Sequence, residues 1–191
     1  GHEIVDSEEE ADAIVINTCC FIHDAKEESV NTILEMAEYK KTGTCKILIV
    51  TGCMAQRYKE EITEEIPEDA VLGTTSYGDI VKALNEAEAG HVFQEFKDIN
   101  ALPEDSGRRV ITTGGHFGYL KIAEGCDKHC TYCIIPSLRG KFRSVPEERL
   151  LKQAEYMASQ GVRELILVAQ ETTVYGTDLY GKKTLHILLK K

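Results

Sequence analysis

Ala13-Ile14-Val15-Ile16-Asn17-Thr18-Cys19 and Lys46-Ile47-Leu48-Ile49-Val50-Thr51-Gly52-Cys53 are two apolar, largely β-branched runs, each ending in a short polar step and a cysteine. Such runs read as buried strands, Ala13–Asn17 and Lys46–Val50. Between them, Asp24 to Lys41 places Val30, Ile33, Leu34 and Ala37 at helical spacing, with Asp24 as the expected N-cap. After Cys53, Gln56 to Ile66 reads as a helix that Pro67 closes. Ala70-Val71-Leu72-Gly73 is a third strand and Ile80 to Ala87 a third helix. Strands that alternate with amphipathic segments make a parallel α/β unit.

Outward from this unit, periodicity fades between Gly90 and Gly115, a stretch that contains Pro103 and Glu104-Asp105-Ser106-Gly107. A domain boundary is expected near residue 107, giving domains 1–107 and 108–191. In the second, Tyr119–Ala123 reads as a strand, Pro146–Gln160 as a helix with Ser144 or Val145 at its start, and Glu164–Ala169 as a further strand. Two strands neither close a barrel nor cover both faces of a sheet, and the chain stops at Lys191 inside the next expected helix, so an incomplete second domain is expected.

The chain has 191 residues and seven cysteines. No window approaches the roughly 18 to 20 consecutive apolar residues of a membrane span, and Gly1-His2-Glu3-Ile4 lacks a signal-peptide pattern. An odd and uneven set of cysteines is a poor disulfide framework, so thiolate chemistry in a reducing, cytoplasmic setting is expected. Charge divides sharply. Residues 1–107 carry 8 Lys and Arg against 24 Asp and Glu, net −16; residues 108–191 carry 14 against 8, net +6. The acidic half favours a basic partner over a phosphate backbone, although charge runs also simply solvate exposed helices.

Chemistry is concentrated in Gly125-Cys126-Asp127-Lys128-His129-Cys130-Thr131-Tyr132-Cys133, a C-x3-C-x2-C loop directly after an expected strand. Three soft thiolates on one loop suit three corners of an iron–sulfur cube and leave the fourth iron open to a ligand. Ferredoxin spacing is C-x2-C-x2-C with a fourth cysteine, and here no cysteine comes after Cys133. A zinc-stabilised binding module is the alternative, with His129 as fourth donor; against it, neighbouring His129 and Cys130 rarely both face one ion, and closed zinc sites come as two separated pairs. Cys19 and Cys53 lie just past the carboxyl ends of two parallel strands, the edge where open α/β sheets gather ligands. Cys20 and Cys45 lack that placement and read as core residues, Cys20 being the neighbour most easily mistaken for Cys19.

The cysteine loop resembles the signature of the radical S-adenosylmethionine enzymes, C-x3-C-x-aromatic-C, with Tyr132 at the aromatic position. That resemblance implies a 4Fe-4S cluster on Cys126, Cys130 and Cys133, with S-adenosylmethionine on the open iron and reductive cleavage to a 5′-deoxyadenosyl radical. It also implies contact between cofactor and Tyr132, Gln170 and Glu171, the last two lying in Ala169-Gln170-Glu171-Thr172-Thr173 at a strand end. Such a strand end is the active mouth of a barrel.

Asn17-Thr18-Cys19 and Thr51-Gly52-Cys53-Met54-Ala55-Gln56-Arg57-Tyr58 resemble two of the three cysteine motifs of the methylthiotransferases. The resemblance implies a flavodoxin-like first domain with a second 4Fe-4S cluster, two of whose ligands are Cys19 and Cys53, the third being expected before Gly1. A radical domain of partial (βα) barrel type should come next, complete only beyond Lys191, so the fragment alone is expected to be inactive. Cys19–Ser29, Cys133–Gly140 and Ala169–Gly176 resemble the branch that acts on an aspartate of a small-subunit ribosomal protein. This second resemblance implies hydrogen abstraction from the aspartate β-carbon, sulfur insertion there and methylation of the sulfur, with flavodoxin or ferredoxin as electron donor. A branch that modifies a tRNA adenosine is the alternative.

Remaining features read as scaffold. Gly114-Gly115 and Gly118 lack a phosphate-loop context and read as loop punctuation. Arg139, Lys141 and Arg143 form a basic patch, either for a carboxylate or an electron donor, or simply solvated. No H-E-x-x-H pattern occurs.

Overall fold

A computed structural model describes residues 2–65, 69–103 and 109–191. The chain divides into two compact units, Gly1–Pro103 and Glu104–Lys191. The boundary expected near residue 107, and the helix stop expected at Ile66 and Pro67, lie outside the described residues.

The first unit runs β1 (Ala13–Thr18), α1 (His23–Thr42), β2 (Ile47–Gly52), α2 (Cys53–Arg57), α3 (Lys59–Glu65), β3 (Ala70–Leu72), α4 (Ile80–Glu88) and β4 (Phe93–Glu95). Its four strands form one parallel sheet in the order β1-β2-β3-β4. Every residue of β2 is buried, which explains a continuous apolar run, whereas edge strand β1 alternates, with Ile14, Ile16 and Thr18 inward and Val15 and Asn17 outward. Leu48, Ile49 and Val50 lose all solvent contact, each contributing about 1.5–3 kcal/mol. Ile47, Ile49, Ala70 and Leu72 pack against Ala83 and Leu84 of α4.

Three expectations for this unit are corrected. The N-cap of α1 is Ile22, with no side-chain cap bond, and Asp24 lies in the first turn. The buried stripe of α1 is Ser29, Ile33 and Ala37, at i, i+4 and i+8, while Leu34 is 52% exposed. The expected single helix after Cys53 is two, α2 and α3, broken at Tyr58, whose φ of −119° and ψ of 41° are not helical. β4 is an addition to the expected elements. Phe93-Gln94-Glu95 is too short and polar to announce itself, and its register on Ala70–Leu72 makes it a strand.

The second unit runs β5 (Phe117–Lys121), β6 (Ala123–Glu124), α5 (Ile135–Arg139), β7 (Arg143–Ser144), α6 (Glu147–Ser159), β8 (Glu164–Val168), α7 (Thr177–Tyr180) and α8 (Leu185–Leu188). β5 and β8 pair in parallel, and β6 and β7 antiparallel. The expected strand Tyr119–Ala123 is divided at Ile122, whose N–H still reaches Val168 O at 2.9 Å. Pro146, not Ser144 or Val145, caps α6, and Ser144 instead donates its hydroxyl to Asp178 Oδ1 at 2.6 Å. Gly118 lies inside β5, with Met157 Cε 2.3 Å from where a Cβ would stand, so it is a strand residue rather than loop punctuation. Among the described residues no helix is long and apolar enough to cross a membrane.

Candidate functional site

The cysteine loop of the second unit is held at its flanks. On leaving β6 the chain turns at Gly125 with φ 75°, where an added Cβ would meet Lys141 O at 2.2 Å and Gly140 O at 2.5 Å. Only glycine satisfies both the left-handed conformation and the close approach. Cys126 N–H then donates to Gly140 O at 3.2 Å, and Phe142 N–H to Asp127 Oδ1 at 3.0 Å. Glu124 is only 3% exposed, and its carboxylate is compensated by two cations, Lys121 and, at 3.5 Å, Arg139. Arg143 donates to the backbone oxygens of Lys141 and Arg139. The basic patch is therefore partly engaged in closing the base of the loop.

The two residues expected at the end of β8 reach the same loop. Gln170 Oε1 accepts from Gly125 N–H at 3.0 Å, and the Glu171 carboxylate pairs with Lys128, between Cys126 and Cys130. The Lys128 ammonium, helped by the N–H and hydroxyl of Thr173, holds the Glu171 carboxyl down to about 2, and Glu171 in turn pushes Lys128 up. These contacts brace the loop. Lys128 is a site residue that sequence reasoning missed, though its charge inside the motif opposite an acidic strand end is a usable signal.

The middle of the loop is open. His129 adopts φ 47°, the one positive φ outside glycine among the described residues, and Cys133 N–H closes a turn onto Cys130 O at 2.9 Å. Cys130 is exposed, Cys126 and Cys133 are half-buried, and Tyr132 is 85% exposed. All three thiols are free of disulfides. Among the described residues no three His, Cys, Asp or Glu side chains are gathered at the spacing of a bound ion. The donor set fits an iron–sulfur cluster: three soft sulfurs lie on one loop whose flanks are fixed and whose middle is exposed.

In the first unit, Thr18 and Gly52 are the last register pair of β1 and β2, so Cys19 and Cys53 leave neighbouring strand ends side by side in sequence register. Gly52 has φ 101°, and a Cβ there would lie 2.4 Å from Thr18 O. Ser29 fixes Cys19 twice, accepting from its N–H at 3.0 Å and donating to its carbonyl at 2.9 Å. Thr18 Oγ1 donates to Thr51 O at 2.6 Å and accepts from Ala55 N–H at 3.4 Å, tying β1 to the start of α2. Cys19 is exposed and Cys53 half-buried. Cys45 is buried, as expected, and burial pushes its thiol up. Cys20 is also buried, its thiol raised first by burial and then by Cys53, with the nearby Arg57 charge acting the other way. Core placement is thus correct for Cys20, but its proximity to Cys53 and Arg57 is not legible from its position one residue beyond Cys19.

The first unit thus sets thiols at the carboxyl edge of a parallel α/β sheet, and in the second unit β5 and β6 lead into a braced C-x3-C-x2-C loop. Residues 120–190 match the Radical SAM superfamily and residues 1–73 the uncharacterized protein family UPF0004. The chain is 64% identical over its full length to the ribosomal protein uS12 methylthiotransferase RimO of Lachnoclostridium phytofermentans, covering 44% of that protein. It is 51% identical over its full length to the protein of the same name from Clostridioides difficile, covering 43%, and 48% identical over 98% of its length to one from Clostridium botulinum, covering 42%. Along its full length the chain is thus similar to proteins named uS12 methylthiotransferases, and its two parts match two separate family models. It spans less than half the length of these curated relatives. The superfamily's cofactors are S-adenosylmethionine and a 4Fe-4S cluster.

Proposed function

We propose that the protein to which this chain contributes is a methylthiotransferase that inserts a methylthio group at the β-carbon of an aspartate in a basic small-subunit ribosomal protein. The observation that carries this reading is 64% identity, along the whole chain, to a protein named for uS12 methylthiotransfer. The net −16 of residues 1–107 supports a basic protein substrate over an RNA. In this reading residues 1–107 are the methylthiotransferase domain, residues 108–191 open the radical domain, and the protein works in the cytoplasm.

Cys126, Cys130 and Cys133 would hold one 4Fe-4S cluster, and Cys19 and Cys53 two corners of a second. When bound, the first cluster and S-adenosylmethionine supply a carbon-centred radical, and the second supplies sulfur. The chain's own residues perform the positioning. Gly125, Asp127, Gln170 and the Lys128–Glu171 pair fix the flanks of the loop. Tyr132, at 85% exposure, would offer an aromatic face to the cofactor, and Gln170 and Glu171, which meet the loop at Gly125 and Lys128, would be further contacts. In the first unit, Ser29 and Thr18 hold the backbone from which Cys19 and Cys53 project. Flavodoxin or ferredoxin is the proposed electron donor.

The test is anaerobic reconstitution of the protein with iron and sulfide, then incubation with S-adenosylmethionine, a reductant, the ribosomal protein and tRNA. A gain of roughly 46 Da on the aspartate is expected, the mass of a methylthio group replacing hydrogen. Modification of a tRNA nucleoside instead would transfer the assignment to the other branch.

A further inference from the structure

The first unit is strongly acidic, yet two of its eight basic residues meet at the thiol edge of the sheet. Lys26 Nζ lies 4.3 Å from the centroid of the Tyr58 ring and donates to Tyr58 Oη at 3.1 Å. Arg57 Cζ lies 5.1 Å from the same centroid. Among the described residues neither cation is paired with a carboxylate. Carboxylates are abundant in this unit, so two cations on one ring with no acidic partner among the described residues mark a locally basic point on an acidic unit.

Their placement relative to the cysteines comes from the fold. Arg57 is four residues after Cys53 on α2, hence one turn along the same face, and its charge acts on the Cys20 thiol, as do Cys53 and Cys19. Lys26 is three residues before Ser29, the residue that grips Cys19 at both backbone groups, and so lies on the same face of α1, nearer its start. The first turn of α1 comes directly after Cys19-Cys20-Phe21-Ile22 and has no side-chain cap, adding its positive end to the same edge.

We propose that Lys26 and Arg57, bridged by the Tyr58 ring, are the charge-compensating residues of the thiol site at the ends of β1 and β2, favouring the reduced and more negative state of the iron–sulfur centre that Cys19 and Cys53 hold. The proposal rests on the two-centre reading of the function. Thiolate ligation makes such a centre anionic, and reduction adds one electron without breaking a bond. A cation nearby stabilises the product of that step more than its starting state. A unit positive charge ~10 Å from such a centre, at an effective dielectric of ~20, favours reduction by roughly tenfold or somewhat more.

The test uses the protein with Cys126, Cys130 and Cys133 replaced by Ala, so that iron loads only at the first unit. Its midpoint potential is followed by electron paramagnetic resonance during dithionite titration. Lys26→Gln and Arg57→Gln should each make reduction about tenfold less favourable, a fall of ~59 mV for one electron. Lys26→Arg and Arg57→Lys should restore it, which a purely structural role does not predict. Potentials unchanged in both Gln variants, at full iron content, overturn the proposal. A parent protein that binds no iron at Cys19 and Cys53, while the intact loop still loads, overturns the two-centre reading itself. The same titration with Cys19 and Cys53 replaced and the loop intact should show no shift in the Gln variants; an equal shift there also refutes local compensation.

Discussion

Replacing Gly125 by Ala tests the claim that the cysteine loop is anchored by a close backbone approach. Two costs are expected. The left-handed conformation at φ 75° disfavours an L side chain by about 1–2 kcal/mol. The Cβ would also stand 2.2 Å from Lys141 O and 2.5 Å from Gly140 O, contacts that backbone must move to relieve, at roughly 1–3 kcal/mol by analogy with overpacked cores. Gly181 separates the two. It has φ 68°, but nothing lies within 4 Å of its Cβ position, so Gly181→Ala carries the conformational cost alone. Gly125→Ala should therefore be less stable than Gly181→Ala by about 1–3 kcal/mol, an extra loss of about 2–12 °C in Tm for a chain of this length. Differential scanning calorimetry of the two variants and the parent, all metal-free, reads this directly. Equal shifts would refute the close approach and with it the account of why glycine precedes Cys126.

Other contacts set further expected outcomes. Ser29→Ala removes both ties to Cys19 and should cost about 1–2 kcal/mol in urea unfolding, more than Thr42→Ala, which loses one exposed bond to Glu38 O. Glu171 has a folded pKa of about 2 against an ordinary 4.5, so its stabilisation is complete above the unfolded value and is lost as pH falls toward the folded one. Glu171→Gln should accordingly flatten the acid limb of stability between about pH 4.5 and 2 in a pH series of thermal melts; an unchanged slope counts against the Lys128 pair. In the reconstituted protein, Cys126→Ala, Cys130→Ala or Cys133→Ala should abolish reductive cleavage of S-adenosylmethionine, whereas Cys19→Ala or Cys53→Ala should leave cleavage intact and stop methylthiolation. Chromatographic assay of 5′-deoxyadenosine beside mass spectrometry of the substrate reads both, and equal loss of cleavage in the two sets contradicts the division of labour.

The parts of the fold that sequence reveals are those set by local composition. Ile14-Val15-Ile16 and Ile47-Leu48-Ile49-Val50 are apolar because sheet packing requires it, and so they show themselves. Elements defined by their partners do not. Phe93-Gln94-Glu95 is a strand because β3 offers an edge, and the two-residue strands β6 and β7 exist through each other. The start of α1 misleads for a related reason: Asp24 has capping chemistry, but the backbone turns at Ile22 two residues earlier. In the site, thiol spacing is a sequence property and the cysteine loop is plain on inspection. Its bracing is not, because Gln170 meets Gly125 across 45 residues and Ser144 meets Asp178 across 34, distances over which only the folded chain brings groups together.

The Thr18–Gly52 register gives the sheet the role of a ruler for sulfur. Each strand ends one residue before its cysteine, so the ladder of backbone bonds sets the stagger of the two thiols. A slip of a single step would displace one sulfur by ~3.3 Å and turn it to the opposite side of the sheet. Insertions and deletions should therefore be purged from Ala13–Cys19 and Ile47–Cys53 even where side chains drift, leaving length, rather than identity, as the trait under strictest selection there.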